Sequence, residues 1–194
     1  MAIVIDESDL EPMDNGLLIP TKKALVAIHD RIIRESLSEQ NVGHYGMRDD
    51  SMLDYLCHKL KLHTYKEDNA ANSYYIGTEI FFQIACRHPF TDGNKRTAYV
   101  ASLFFTGVNL LGVRNSLEWR KAEDAGKIVE TIARWGETSD VSSLEKMVFE
   151  SGIIGKKRRP LGEGDVKGFI NHFLRNNIRV KVGKNGKEKD GKKE

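Results

Sequence analysis

The sequence predicts an all-α fold. Apolar residues recur every three or four positions in successive segments between residues 18 and 154, the spacing that places them on one face of a helix. No alternating strand pattern occurs within this body, and helix start and stop residues separate about six segments. Behind this bundle of about six helices, residues 155–194 form a short basic extension.

The first 17 residues are an acidic lead-in containing Asp6, Glu7, Asp9, Glu11 and Asp14, with a candidate short strand only at Ala2 to Ile5. Pro20 and Thr21 open the first helix, whose apolar face carries Leu25, Ile28 and Ile32, widened by Ile33 and Leu37. His29 and Asp30 on this helix are neighbours that diverge in direction, so a surface role is expected for both. Asp49 or Asp50 caps the second helix, on which Met52, Leu53, Leu56 and Leu60 repeat. His58 and His63 do not share a face there, and no metal site is expected. After a polar connector over residues 64–72, a helix from Tyr74 to Cys86 is apolar nearly all round, as a central helix must be. The helix from Asn94 to Leu111 has the same character. Ser116 is read as the start of another helix, carrying Trp119, Ala122, Ala125, Val129, Ile132 and Ala133 and ending before Gly136. Ser142 and Glu145 form a capping box for the last helix of the body, which stops at Gly152.

The tail has a different character. Lys156 to Pro160 is a basic linker, Val166, Phe169, Ile170, Phe173 and Leu174 mark an amphipathic helix that docks on the body, and residues 178–182 alternate like a brief strand. Disorder is expected beyond Gly183. The net charge of +2 conceals an asymmetry. Residues 155–194 hold thirteen Lys and Arg against five Asp and Glu, leaving 17 against 23 for residues 1–154. At 194 residues, 40% hydrophobic and 30% charged, the chain has room for one domain and this appendage. Nothing approaches eighteen consecutive apolar residues, so no membrane helix is expected. Met1 to Ile5 run straight into acids, the reverse of a secretory signal. Cys57 and Cys86 share no metal or redox spacing, and two reduced thiols in a cytoplasmic protein are the expectation.

The chemistry concentrates between the two central helices, in Ala85-Cys86-Arg87-His88-Pro89-Phe90-Thr91-Asp92-Gly93-Asn94-Lys95-Arg96-Thr97-Ala98. Pro89 cannot continue a helix, so the first of the pair stops near Cys86. Asn94 is read as the N-cap of the second, whose unpaired first-turn N–H groups attract anions, phosphate above all. Gly93 allows close backbone approach, and Lys95 and Arg96 add full positive charge. A carboxylate at Asp92 beside such a site repels phosphate unless a cation lies between, which Mg²⁺ bound through one carboxylate and phosphate oxygens supplies. His88 carries an imidazole, which can accept the proton of a hydroxyl. Phe90 is expected to point into the shared core, a packing role. Together these residues read as phosphoryl or nucleotidyl transfer.

The run His88-x-Phe90-x-Asp92-x-Asn94-Lys95-Arg96 closely resembles the signature of the Fic/Doc (Fido) superfamily. Lys95, where Fic adenylyltransferases carry a second Gly, looks like the Doc (death-on-curing) branch. Leu25 to Asp30 and His44-Tyr45-Gly46-Met47 resemble the opening helix and glycine turn of Doc toxins, and Ser142-Ser143-Leu144 falls where their last helix begins, so the resemblance covers residues 18–152. It implies a Fic/Doc-type bundle with a catalytic domain over 18–154. It also implies a toxin whose ATP, with Mg²⁺ at Asp92, gives its γ-phosphate to a Ser or Thr hydroxyl activated by His88, held by Gly93, Asn94, Lys95 and Arg96. The implied target is translation elongation factor Tu, and the implied partner is an antitoxin whose helix covers the cleft. AMP transfer is the nearest alternative, disfavoured by Lys95 and by Tyr99, which stands where Fic enzymes usually carry a further Arg. A non-catalytic adaptor binding nucleic acid through its basic tail is a third reading. No Glu has a Ser or Thr four residues before it, so the inhibitory helix pattern of many Fic proteins is missing from the sequence.

Overall fold

A computed structural model describes residues 7–37, 45–63, 68–111, 116–119, 122–138, 142–151 and 161–181. The expected strand at residues 2–5, the basic linker at 156–160, Gly152 and the end beyond Gly183 lie outside the described residues. Among the described residues, seven α-helices carry the fold: α1 (Lys22–Leu37), α2 (Asp50–His63), α3 (Asn69–Arg87), α4 (Asn94–Leu111), α5 (Ala122–Thr138), α6 (Ser142–Glu150) and α7 (Glu163–Asn177). Six fall in the body, as the sequence predicts. Two short antiparallel pairs accompany them, β1 (Leu10–Pro12) with β2 (Leu18–Pro20), and β3 (Ser116–Trp119) with β4 (Ile178–Lys181).

The core is built around α3 and α4, joined by the motif loop and packed antiparallel. Ile76, Ile80, Phe81, Phe82 and Ile84 of α3 and Ala98, Ala101 and Phe105 of α4 are fully or nearly fully buried. Gly77 lets the two helices close in, since a Cβ there would lie 2.0 Å from Thr106 Oγ1. α1, α2, α5 and α7 surround this pair.

Four expectations are corrected. The lead-in is structured from residue 7: β1 and β2 make a hairpin turned at Gly16 (φ 80°), with Leu10 and Leu17 buried. Its backbone is clasped to α4 by Asn109, whose Oδ1 accepts from Leu18 N at 2.7 Å and whose Nδ2 donates to Leu18 O at 2.8 Å. The acidic run misleads because Asp9, itself buried, is neutralised by Lys23 at 2.8 Å. Second, α3 starts at Asn69, five residues before the expected Tyr74, because Asp68 caps it by accepting from Ala71 N at 3.0 Å. Third, Ser116 opens a strand, and α5 begins only at Ala122; the strand is formed by pairing with β4 from the tail, a partner that no local pattern reveals. Fourth, α5 runs through Gly136, because that glycine serves a close helix contact. A Cβ there would come within 2.6 Å of Cys86 O.

The tail helix docks on α3, burying Leu161, Val166, Phe169, Ile170 and Leu174 in the common core. Its apolar face required some such cover.

Candidate active site

The motif loop is shaped by its two ends and clamped from both sides. His88 ends α3 in the left-handed conformation (φ 49°, ψ 58°), the only described non-glycine residue with positive φ. Such a backbone is uncommon for a residue with a Cβ and recurs at functional sites. On one side the loop is paired with residues 46–49. Arg48 N and Asp49 N both donate to Pro89 O, at 2.7 and 3.0 Å, Met47 bridges Phe90, and Thr91 N donates to Gly46 O at 3.1 Å. Gly46 (φ 137°) is needed there, as its backbone conformation suits few L residues.

On the other side lies His29, buried and not at the surface as expected. Its Nε2 donates to the carbonyl of Asp92 at 3.0 Å, because a carbonyl can only accept, and its Nδ1 is 3.1 Å from Asp30 Oδ1. The ring stacks on Phe90 with centroids 4.0 Å apart and planes within 4°. A signal for this was present: residue 29 stands four after Leu25 and four before Ile33, inside the apolar stripe. The stripe argument outweighs the divergence of adjacent side chains. Phe90 is buried in the core, as expected.

Asn94 has a different job from the one expected. The first intrahelical bond of α4, Thr97 N to Gly93 O at 2.9 Å, makes Gly93 the cap residue. Asn94 is the first helical residue, and its side chain closes the turn behind it, accepting from Phe90 N at 3.0 Å and donating to Phe90 O at 2.8 Å. Gly93 takes φ 72°, and a Cβ on it would meet Ile33 Cδ1 at 2.9 Å. The start of α4 is therefore held by the Asn94 side chain behind it and by the close fit of Gly93 against Ile33.

Around this frame the chemical groups fall into two sets. Asp92 and His88 sit on the loop itself. The Asp92 carboxylate is half-buried, with Oδ1 2.5 Å from Gly93 N. The His88 side chain is 11% exposed; its Nε2 makes no hydrogen bond and lies 3.4 Å from Glu137 Oε1 of α5. Lys95 and Arg96 are exposed on the first turn of α4, and Lys95 Nζ reaches across to Glu130 of α5 at 3.1 Å. Glu130 is shared with Arg134 at 3.6 Å. Thus α5 lays two carboxylates along the loop, Glu130 by Lys95 and Glu137 by His88, neither of which sequence reasoning singled out. Their seven-residue spacing, two helical turns, is the signal that could have found them. Between α4 and α5 lies a cavity of about 290 Å³, walled by Lys95, Arg96, Tyr99, Val129 and Glu130 among others.

Residues 20–106 match the family model described as Fic/DOC family. The matched stretch runs from the end of β2 to α4 and so contains the whole loop, its clamp at residues 46–49 and His29. The match supports the Fic/Doc superfamily, whose members are generally enzymes that transfer nucleotide or phosphate groups to proteins, with ATP and Mg²⁺. No curated protein and no solved structure matches the chain.

The Fic/DOC stretch fits a metal–phosphate pair in its donor set. Among the described residues no three His, Cys, Asp or Glu side chains cluster as a metal cage. A single carboxylate at Asp92 beside a helix start suits Mg²⁺, which is usually held by one or two carboxylates plus substrate phosphates. The thiols offer no alternative chemistry. Burial pushes Cys57 up to about 11 and Cys86 up to about 12, so both stay protonated and poorly nucleophilic. No helix among the described residues is long and apolar enough to cross a membrane.

Proposed function

We propose that this chain is a Doc-like protein kinase that moves the γ-phosphate of ATP to a Ser or Thr hydroxyl of a protein. The observation that carries the reading is the juxtaposition, on one clamped loop, of an imidazole, a carboxylate and a helix start. In this reading the α4 amides and Arg96 hold the phosphates, and Asp92 holds Mg²⁺, which when bound neutralises phosphate charge. His88 takes the proton of the acceptor hydroxyl. The hydroxyl oxygen forms a bond to the γ-phosphorus while the bond from that phosphorus to the β,γ-bridging oxygen breaks, and ADP leaves. Glu137 stands 3.4 Å from His88 Nε2, so it must swing aside if that nitrogen is the base; it is half-exposed at the end of α5 and has room to do so.

Elongation factor Tu as target, growth arrest as outcome and restraint by an antitoxin helix belong to the same proposal. They rest on the resemblance of the loop to Doc toxins. His88→Ala should lower the rate of transfer by ~10²–10⁴ while the folded protein persists, measured with purified protein and γ-labelled ATP. A variant that still labels its target at the wild-type rate would remove His88 from the chemistry.

One observation favours AMP transfer as a second reading. Lys95 would fill the phosphate cradle, yet its Nζ is drawn away to Glu130, leaving that side open. Target incubated with ATP labelled at either the α or the γ position separates the two, since only AMP transfer leaves α label on the protein.

A further inference from the structure

We propose that His29 of α1 is a positioning residue for the cation: by holding the peptide between Asp92 and Gly93 from behind, it fixes the Asp92 carboxylate as a ligand. The inference rests on the metal reading of Asp92 above and adds the residue, 63 positions earlier, that makes this carboxylate fit for the task.

The link runs through one peptide plane. A trans peptide is planar, and its C=O and N–H point to opposite sides. On one side of the Asp92–Gly93 peptide, His29 Nε2 donates to Asp92 O at 3.0 Å. On the other, Gly93 N donates to Asp92 Oδ1 at 2.5 Å, which leaves Oδ2 for a cation. With the carbonyl aimed at the imidazole, the amide on the far side is aimed at the carboxylate.

The backbone alone does not make that choice. Gly93 sits at φ 72°, yet glycine takes positive and negative φ about equally readily, so rotating this peptide costs little at residue 93. Such a rotation would withdraw the N–H from Oδ1 and turn the carbonyl oxygen toward the carboxylate, two acceptors face to face. A Cβ at residue 93 would lie 2.9 Å from Ile33 Cδ1, so no other residue can stiffen the position. The hold must come from outside.

His29 is suited to supply it. Its ring is buried, and the stack on Phe90, with planes within 4°, fixes the direction of Nε2. Phe90 is in turn tied at its backbone N and O by Asn94. Groups that orient a metal ligand in this way commonly change metal affinity by ~10–100-fold when removed.

The test reads metal-dependent binding in place of turnover. Calorimetry on the full chain compares ADP with Mg²⁺ and ADP with EDTA, and the ratio of the two affinities is the gain from the metal. His29→Phe keeps a flat ring against Phe90 and deletes the donor, whereas His29→Gln returns an N–H to the same region. His29→Phe should cut the gain by roughly tenfold or more while metal-free ADP binds as to wild type, and His29→Gln should restore most of it. Asp92→Asn should remove the gain altogether, and adding His29→Phe to it should change nothing further. A merely structural role would weaken both forms of ADP together; that result, or an unchanged gain in His29→Phe, overturns the inference while the metal reading of Asp92 stands. Should His29→Phe fail to fold, the Gly93 amide decides by nuclear magnetic resonance. Its proton should lie well downfield in wild type and move upfield in Asp92→Asn, and an ordinary wild-type shift overturns the inference. If wild type gains nothing from Mg²⁺, the metal reading of Asp92 falls and this inference with it.

Discussion

Truncating His29 to Ala takes two supports from the motif loop at once. The Asp92 carbonyl loses its donor at 3.0 Å, and Phe90 loses the ring stacked on it at 4.0 Å. Deleting a buried ring leaves a cavity, and a buried carbonyl without its partner adds a desolvation cost, so a loss of about 2–4 kcal/mol is expected by urea unfolding. His88→Ala should behave in the opposite way, with a large effect on rate and a smaller one on stability, because the His88 Nε2 makes no hydrogen bond and its removal orphans no partner. Measuring both variants in both assays separates the residue that holds the loop from the one proposed to react on it. The motif itself was legible in the sequence because its residue types are chemically dense. His29 was not read as part of it, since nothing in a single helix tells which loop 63 positions away its imidazole will meet.

Among the elements, the close approach of α3 to its two neighbours depends on glycines that meet different kinds of atom. At Gly77 the obstruction is Thr106 Oγ1, a side-chain tip that is buried and makes no hydrogen bond. Gly77→Ala should destabilise by about 1–3 kcal/mol, and Thr106→Ala should recover most of that loss in the double variant by removing the atom in the way. At Gly136 the obstruction is the backbone of Cys86, at 2.6 and 2.7 Å, which no second substitution can delete. Gly136→Ala must push α5 off the end of α3, carrying Glu137 away from His88. Its stability loss should therefore resist rescue, and thermal unfolding of the single and double variants checks both expectations. The same glycine explains why the end of α5 was misread. A glycine near the end of an apolar repeat is usually a helix stop, and only the crossing with α3 reveals the second meaning. Strand β3 was illegible for a related reason: four residues gain strand geometry from β4, sixty positions further on.

Across the whole molecule, the basic tail is tied to the body by charge as well as by its apolar face. Glu79, the one acid of α3 and 2% exposed, is met by Lys59 of α2 at 3.1 Å and by Lys167 of α7 at 2.8 Å. Lys167 also lies over the Phe82 ring at 4.7 Å and pairs with Glu163 at 2.5 Å. The amphipathic helix was legible from its spacing; its berth was not, although a lone Glu in a central helix signals a cation to come. Burial lowers the pKa of Lys167, but its hydrogen bonds to Glu163 and Glu79 outweigh this and hold it above the usual lysine range. Burial likewise raises Glu163, and the hydrogen bond and charge of Lys167, with Lys59 and Arg87, prevail and leave it below its ordinary value of 4.5. A carboxyl depressed in the folded state contributes stability in full above its ordinary value and loses it as pH falls through the lower folded one. Glu163→Gln removes that titration while leaving Glu79 with both of its lysines. The variant should be less stable than wild type at pH 7, and the gap should narrow as the pH is taken below 4.5, where wild type protonates the same group. Urea unfolding of the two proteins in a series of buffers from pH 7 to about pH 3 reads this directly. A gap that stayed constant across the series would mean that Glu163 does not secure the tail by its charge.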